Sequence, residues 1–188
     1  MNRRPPGGII DAEGRPVPAV GEIGTKNMKQ DPHDREIADR LASGVLSREG
    51  FLGTDPRPLG EILDADRSAV EALGASHERI AAAMKRAADE AMHAQGVPVE
   101  VSTGVQAVYR EAMGQIPCPW GGGQRFPKGQ IDLTDARTGE TLSFSPLSVH
   151  LVGAHGFYEG RGALYRIEPE ALCRLLGVAS GSGSEPEP

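Results

Sequence analysis

Three side chains that commonly bind transition metals stand around a predicted β-hairpin and the helix after it. Cys118 precedes the hairpin, and His150 and His155 lie within the helix. Small zinc modules collect thiolate and imidazole ligands from separate elements in this way, and the H-x4-H spacing falls in the range that they use. Because five residues of α-helix turn through about 140° beyond a full circle, the two imidazoles are expected to converge only if the last turn loosens. Gly153 and Gly156 would permit that.

More than one residue could complete the set of metal ligands. Cys173 in the final predicted helix is the candidate fourth metal ligand, with Asp132 and Glu159 as alternatives. Four protein ligands would make a structural zinc site, whereas three ligands and a water would make a catalytic one. The alternative without metal is a buried core, in which Cys packs as a small apolar side chain and His binds backbone carbonyls. That core would contain Cys118, Trp120, Phe126, Phe144, Phe157 and Tyr158.

Glycines beside cations predict a second kind of site, for an anion. Residues 121–123 are three glycines followed by Arg125 and Lys128, and Arg161 stands between two further glycines. Backbone N–H groups beside Arg can hold phosphate or carboxylate. Neither stretch has the pattern of a nucleotide-binding loop, and the alternative is that these glycines only form turns. The predicted ligand-binding residues are Trp120, Arg125, Lys128, Glu159, Arg161 and Arg166.

Composition and missing motifs narrow the class of function. The formal net charge of −6 counts against nucleic-acid binding, which would use Arg125, Lys128, Arg161 and Arg166. The chain has no G-x-S-x-G elbow and no HExxH motif. We therefore expect a non-enzymatic protein that binds a protein partner or a small anion, with zinc in a Cys/His/Arg pocket. A small metal- or His-dependent hydrolase using the same pocket is the alternative.

Hydrophobic periodicity places helices before strands and predicts an α+β fold, with a helical N-terminal half packed on a small, mostly antiparallel sheet. Asp64 or Asp66 is expected to interrupt the second helix. Segment 105–116 fits either a helix or a strand, and a strand is favoured because Thr103-Gly104 supplies a hairpin turn. The predicted elements are helices 33–44, 59–73 and 76–96, strands 97–102 and 105–116, a hairpin over 130–145, a helix over 146–156, a strand over 164–167 and a helix over 169–177.

One domain, residues 33–177, is expected between two disordered tails. Residues 1–32 and 178–188 are rich in Pro, Gly and Ser and offer few large apolar side chains. No apolar run has the length of a membrane span, and two cysteines do not make a secreted disulfide scaffold. A cytoplasmic protein is expected. The Ala-rich helix over Ser76–Gln95 is a candidate homodimer face.

Three motifs carry a resemblance to a known family. They are GFLGTDPRPLGEILDADR at Gly50–Arg67, IPCPWGGG at Ile116–Gly123 and SVHLVGAHGFYEGRGALYRIEP at Ser148–Pro169, of which the last is the most specific. Together they resemble a family of uncharacterised bacterial cytoplasmic proteins over about residues 48–176. The resemblance implies a bacterial origin and a single module. That family has no established activity, so the resemblance implies no role for any residue.

Overall fold

The computed structural model describes residues 32–178, which form five helices and four strands. In chain order these are α1 (Pro32–Leu41), α2 (Leu59–Ala72), α3 (His77–His93), β1 (Val99–Ser102), β2 (Val105–Pro117), β3 (Arg125–Asp135), β4 (Thr141–Phe144), α4 (Pro146–His155) and α5 (Pro169–Leu176). Except for Pro32 and Val178, the tails predicted to be disordered lie outside the described residues. Within residues 32–178, no helix is both long and apolar enough to cross a bilayer.

The predicted α+β class is confirmed. The four strands form one antiparallel sheet in the order β1-β2-β3-β4. Segment 105–116 is a strand and not a helix, since Val105 and Ala107 are buried on either side of an exposed residue. Strands β2 and β3 form a long hairpin whose register ends with Pro117 opposite Arg125. The hairpin therefore presents Cys118 at its tip.

Helix α2 runs from Leu59 to Ala72 without a break, so the predicted interruption at Asp64 or Asp66 is wrong. Asp66 is buried, with 2 % of its surface exposed. It is tolerated there because the guanidinium of Arg166 binds its carboxylate, with N–O distances of 2.8 and 3.0 Å.

The predicted strand over residues 164–167 is also wrong, because this stretch forms turns. The N–H of Ala163 donates to the carbonyl of Gly160 at 3.1 Å, and the N–H of Arg166 donates to the carbonyl of Ala163 at 3.2 Å. The N–H of Ile167 donates to the carbonyl of Tyr158 at 3.1 Å, so backbone groups that a strand would offer to a neighbouring strand are bound within this loop.

Helix α3 begins as predicted at Ser76, whose hydroxyl accepts the N–H of Arg79 at 3.3 Å. Its Ala-rich face is buried inside the domain and packs against α4 and the sheet. Gly153 of α4 approaches so closely that a Cβ there would stand 2.9 Å from the Cβ of Ala81. Gly153 therefore serves close helix packing. A homodimer through Ser76–Gln95 stays a prediction, and it would have to use the exposed side of α3.

The apolar core consists of two clusters of buried side chains. The first is drawn mainly from α3, α5 and the sheet and contains Met84, Phe144 and Cys173. The second is drawn from α1, α2, α4 and the loops around them, and contains Ile62 and Cys118. Both cysteines are free thiols. The two cysteines belong to different clusters, and Cys118 shares its cluster with Leu147 and Leu151 of α4.

Candidate metal centre

Three metal-binding side chains meet where the tip of the β2–β3 hairpin passes α4. Cys118 follows β2 in a loop that closes where its N–H donates to the carbonyl of Gln124 at 3.0 Å. His150 and His155 lie on α4. One ligand atom from each residue lies within 4.8 Å of the other two, and Cys118 Sγ is 3.4 Å from His155 Nε2. The structure therefore brings three of the four predicted metal ligands together.

The two histidines converge on a regular helix. Helix α4 stays helical through His155 and ends at Gly156, which has a left-handed backbone with φ of 62°. The N–H of Gly156 donates to the carbonyl of Val152 at 3.0 Å, as in a common glycine cap. Side chains of an α-helix lean towards its N-terminus, so the His155 imidazole reaches back towards His150. The expectation that the last turn must loosen is wrong.

Aromatic rings hold both imidazoles in place. The indole of Trp120 lies parallel to the His155 ring, with 4.4 Å between centroids and an angle of 8° between planes. Phe126 stacks on His150 at 4.7 Å and 28°. The two imidazoles meet edge to face, 5.1 Å apart. These contacts fix the ring planes and cover their apolar faces, which leaves the ring nitrogens as the reactive atoms.

Burial favours the neutral form of both imidazoles, which is the form that binds metals. It lowers the pKa of His150 and of His155, and the charge of His150 lowers the pKa of His155 further. Nε2 of His150 is buried and, in the part of the chain that the structure describes, has no hydrogen-bond partner. An unpaired buried polar atom costs about 1–3 kcal/mol. A metal ion bound to this nitrogen would remove that cost.

The spacing of the ligand atoms suits a tetrahedral ion. With zinc–sulfur bonds of about 2.3 Å and zinc–nitrogen bonds of about 2.0–2.1 Å, sulfur and nitrogen stand roughly 3.6 Å apart. The 3.4 Å between Cys118 Sγ and His155 Nε2 is close to that value. All three atoms lie within 4.8 Å of one another, so a tetrahedral site needs them to move by about 1.5 Å at most.

The predicted fourth ligand, Cys173, is not brought to this group, because α5 packs it into the other core cluster. Of the two alternatives, Asp132 is bound by Arg110 at 2.8 Å and by the Ser143 hydroxyl at 2.6 Å on the face of the sheet. Glu159 is not in the group either. Among residues 32–178, the cluster of ligand atoms thus has three members, which leaves one position of a tetrahedral ion for water or another ligand.

The residues predicted to bind a ligand do not form a single pocket. Trp120 belongs to the metal group through its contact with His155. Arg125 is exposed at the start of β3, and Arg161 is exposed in the loop after α4. Lys128 and Glu159 line a cleft whose lining residues include none of the three metal ligands.

A buried ion pair holds the loop after α4 and takes Arg166 out of any anion site. Its guanidinium binds Asp66 through two hydrogen bonds, and its Nη1 donates to the carbonyl of Glu159 at 2.7 Å. Burial raises the pKa of Asp66, and Arg166 opposes that shift. This pairing was not predicted. The sequence signal was the position of Asp66, four residues from both Ile62 and Val70 on the buried face of α2, where a carboxylate needs a partner.

No protein-family model, curated protein or solved structure matches this chain. The resemblance of its three motifs to a family of bacterial proteins stays a prediction. The candidate site is therefore defined by the geometry of Cys118, His150 and His155 alone.

Proposed function

We propose that this protein is a non-enzymatic zinc-binding protein whose ion is held by Cys118, His150 and His155. One observation supports this most strongly: their ligand atoms lie within 4.8 Å of one another, with sulfur and nitrogen 3.4 Å apart. Zinc accepts thiolate and imidazole together, whereas Mg²⁺ and Ca²⁺ prefer oxygen ligands. The ion would fasten the hairpin tip to α4, and the face so formed would bind a protein partner or a small anion.

The contact between Cys118 and His155 could also be interpreted as a nucleophile–base pair, but this interpretation is weaker. Cys118 is only 5 % exposed, so a substrate would have little access to its sulfur. The lowered pKa of His155 favours its uncharged imidazole, and an uncharged imidazole does not stabilise a neighbouring thiolate. Both features suit a metal ligand better than a nucleophile.

A metal-dependent hydrolase is the second candidate, and it is favoured by the three-membered ligand group. Zinc with three protein ligands keeps a position for water and lowers the pKa of that water to about 7. The two candidates therefore differ in whether a small molecule can reach the ion.

Replacing zinc by cobalt(II) tests the ligand set and the open position together. Thiolate bound to cobalt gives a charge-transfer band in the near ultraviolet that imidazole and carboxylate lack. We expect this band in the wild-type protein and in Cys173→Ala, which removes the other buried thiol. We expect its loss in Cys118→Ala and at least about tenfold weaker cobalt binding in His150→Ala. A band that survives Cys118→Ala would contradict the proposed site.

Acetohydroxamate added to the cobalt protein separates the two candidates. A change in the visible cobalt bands would show an open position and favour the hydrolase. An unchanged spectrum would favour the binding protein, in which the ion only holds the fold.

A further inference from the structure

A cleft of about 450 Å³ opens beside the β2–β3 hairpin, apart from the three metal ligands. Its volume is within the usual range for small-molecule sites. Apolar side chains make up part of its wall, among them Phe51, Leu147 and Leu164. Most such sites combine an apolar wall with a few polar groups that fix the ligand. Glu159 is the polar group that stands out here.

Glu159 lines the cleft although only 2 % of its surface is exposed. Its backbone is left-handed, with φ of 67°, a conformation that a glutamate rarely adopts. Gly160 holds the backbone of Glu159 in this conformation. The N–H of Gly160 donates to the carbonyl of Phe51 at 2.8 Å, and a Cβ on Gly160 would stand 2.2 Å from the carbonyl oxygen of Leu52. Strained backbone that its surroundings hold in place is common at binding sites.

Within the described part of the chain, the carboxyl of Glu159 forms no salt bridge of its own. Among the described residues, the cation whose charge acts on it is Arg166, whose guanidinium is bound to Asp66 and Glu168. That guanidinium is thus shared with two other carboxylates, and the further cations nearby, Arg57 and Arg161, act on Asp66 and Glu168. Burial raises the pKa of Glu159 to about 8, against the opposing effects of the Tyr165 N–H and Arg166. A cation from outside would supply the missing partner.

The other charges of the cleft balance one another. They belong to Arg48, Glu49, Arg110, Glu111 and Lys128, with Tyr165 as a further titratable group. Arg110 is bound to Asp132 outside the cleft lining, at 2.8 Å. The two remaining cations are matched in number by the two remaining glutamates. Glu159 is therefore the group that sets the charge preference of this cleft.

We propose that the cleft binds a protonated primary amine with an apolar body. The ammonium group would pair with the Glu159 carboxylate, and the apolar body would lie against Phe51, Leu147 and Leu164. Binding would draw the proton off the carboxyl, because the ionised form is the one that attracts the ammonium. This site is independent of the metal group.

Phenethylamine, 2-phenylethanol and phenylacetate test the proposal, since they share one body and differ in the end group. Titrated calorimetrically into the full-length protein at pH 8.5, the amine should bind at least about tenfold more tightly than the alcohol, as charge-assisted pairing predicts. Glu159→Gln, which keeps the shape of the side chain, should remove this difference. Glu71→Gln, which neutralises an exposed carboxylate outside the cleft lining, should leave it unchanged.

The pH dependence provides a second readout that needs no variant. Because the amine requires ionised Glu159, its affinity should fall roughly tenfold for each pH unit below about 8. Equal affinity for amine and alcohol, tighter binding of phenylacetate, no measurable amine binding, or an amine affinity that is constant from pH 6 to 8 would each overturn the proposal.

Discussion

Saturating zinc is expected to raise the melting temperature of this protein by about 8–16 °C. A ligand that binds only the folded state at a thousand times its Kd stabilises that state by about 4 kcal/mol. For a domain of this size each kcal/mol is worth about 2–4 °C. The ion would join Cys118 on the hairpin tip to His150 and His155 on α4, two elements that are distant in sequence. It would also bind the ring nitrogen of His150 that is buried and has no hydrogen-bond partner among residues 32–178.

The two cysteines offer a matched pair of variants for this result. Cys118→Ala should lose the zinc response, because it removes one of three ligands. Cys173→Ala also removes a buried thiol, but from the other core cluster, so it should keep the full zinc response even if its own melting temperature is lower. Differential scanning fluorimetry with and without zinc measures both. Equal zinc responses of the two variants would contradict the site.

Arg166→Ala is expected to lower the free energy of unfolding by about 3–5 kcal/mol, the usual cost of removing one partner from a buried ion pair. The side chains of Arg166 and Asp66 are only 13 % and 2 % exposed. Without the guanidinium, the Asp66 carboxylate stays buried on α2 and loses both of its hydrogen bonds to Arg166, and the carbonyl of Glu159 loses its 2.7 Å hydrogen bond. Urea denaturation followed by circular dichroism measures the change.

Arg161→Ala is the matched control, since it removes an exposed arginine from the same loop. The backbone N–H of Arg161 donates to the Asp55 carboxylate, and its backbone carbonyl accepts the N–H of Thr54. Alanine retains both backbone groups. We expect a change within about 0.5 kcal/mol. Replacing Asp66 and Arg166 together by Leu and Met should cost less than Arg166→Ala alone, because no charge is left buried. Equal free energies of unfolding for Arg166→Ala and Arg161→Ala would contradict the prediction, because the ion pair would then contribute nothing to stability.

Most of the helices and strands could be predicted because they follow local sequence patterns. The alternation of apolar and polar residues after residue 97, with the Thr103-Gly104 turn, is enough to indicate β2. Ser76 is enough to indicate the start of α3. The strand predicted over 164–167 failed because the backbone of this stretch pairs with no strand: the N–H of Arg166 donates to the carbonyl of Ala163, and the N–H of Ile167 donates to the carbonyl of Tyr158. Periodicity reports which side chains are apolar, and it does not report where backbone groups find partners.

The candidate site was only partly predictable for a similar reason. Residue type and spacing single out Cys118, His150 and His155, and the hairpin followed by a helix explains why they meet. The choice between Cys118 and Cys173 depends on which core cluster each enters, and that is decided by packing over long sequence distances. The partner of Asp66 is Arg166, a hundred residues later. No local pattern carries that information.

The zinc content of the purified protein tests the central claim most directly. Untagged protein prepared without chelator, analysed by elemental mass spectrometry, should contain about one zinc ion per chain. Cys173→Ala should contain the same amount, whereas His150→Ala should contain little or none, because it removes the ligand whose Nε2 is buried and unpaired within the described residues. No zinc above background in the wild-type protein, or an unchanged content in His150→Ala, would contradict the metal centre. His150 and His155 would then be packing residues of the second core cluster.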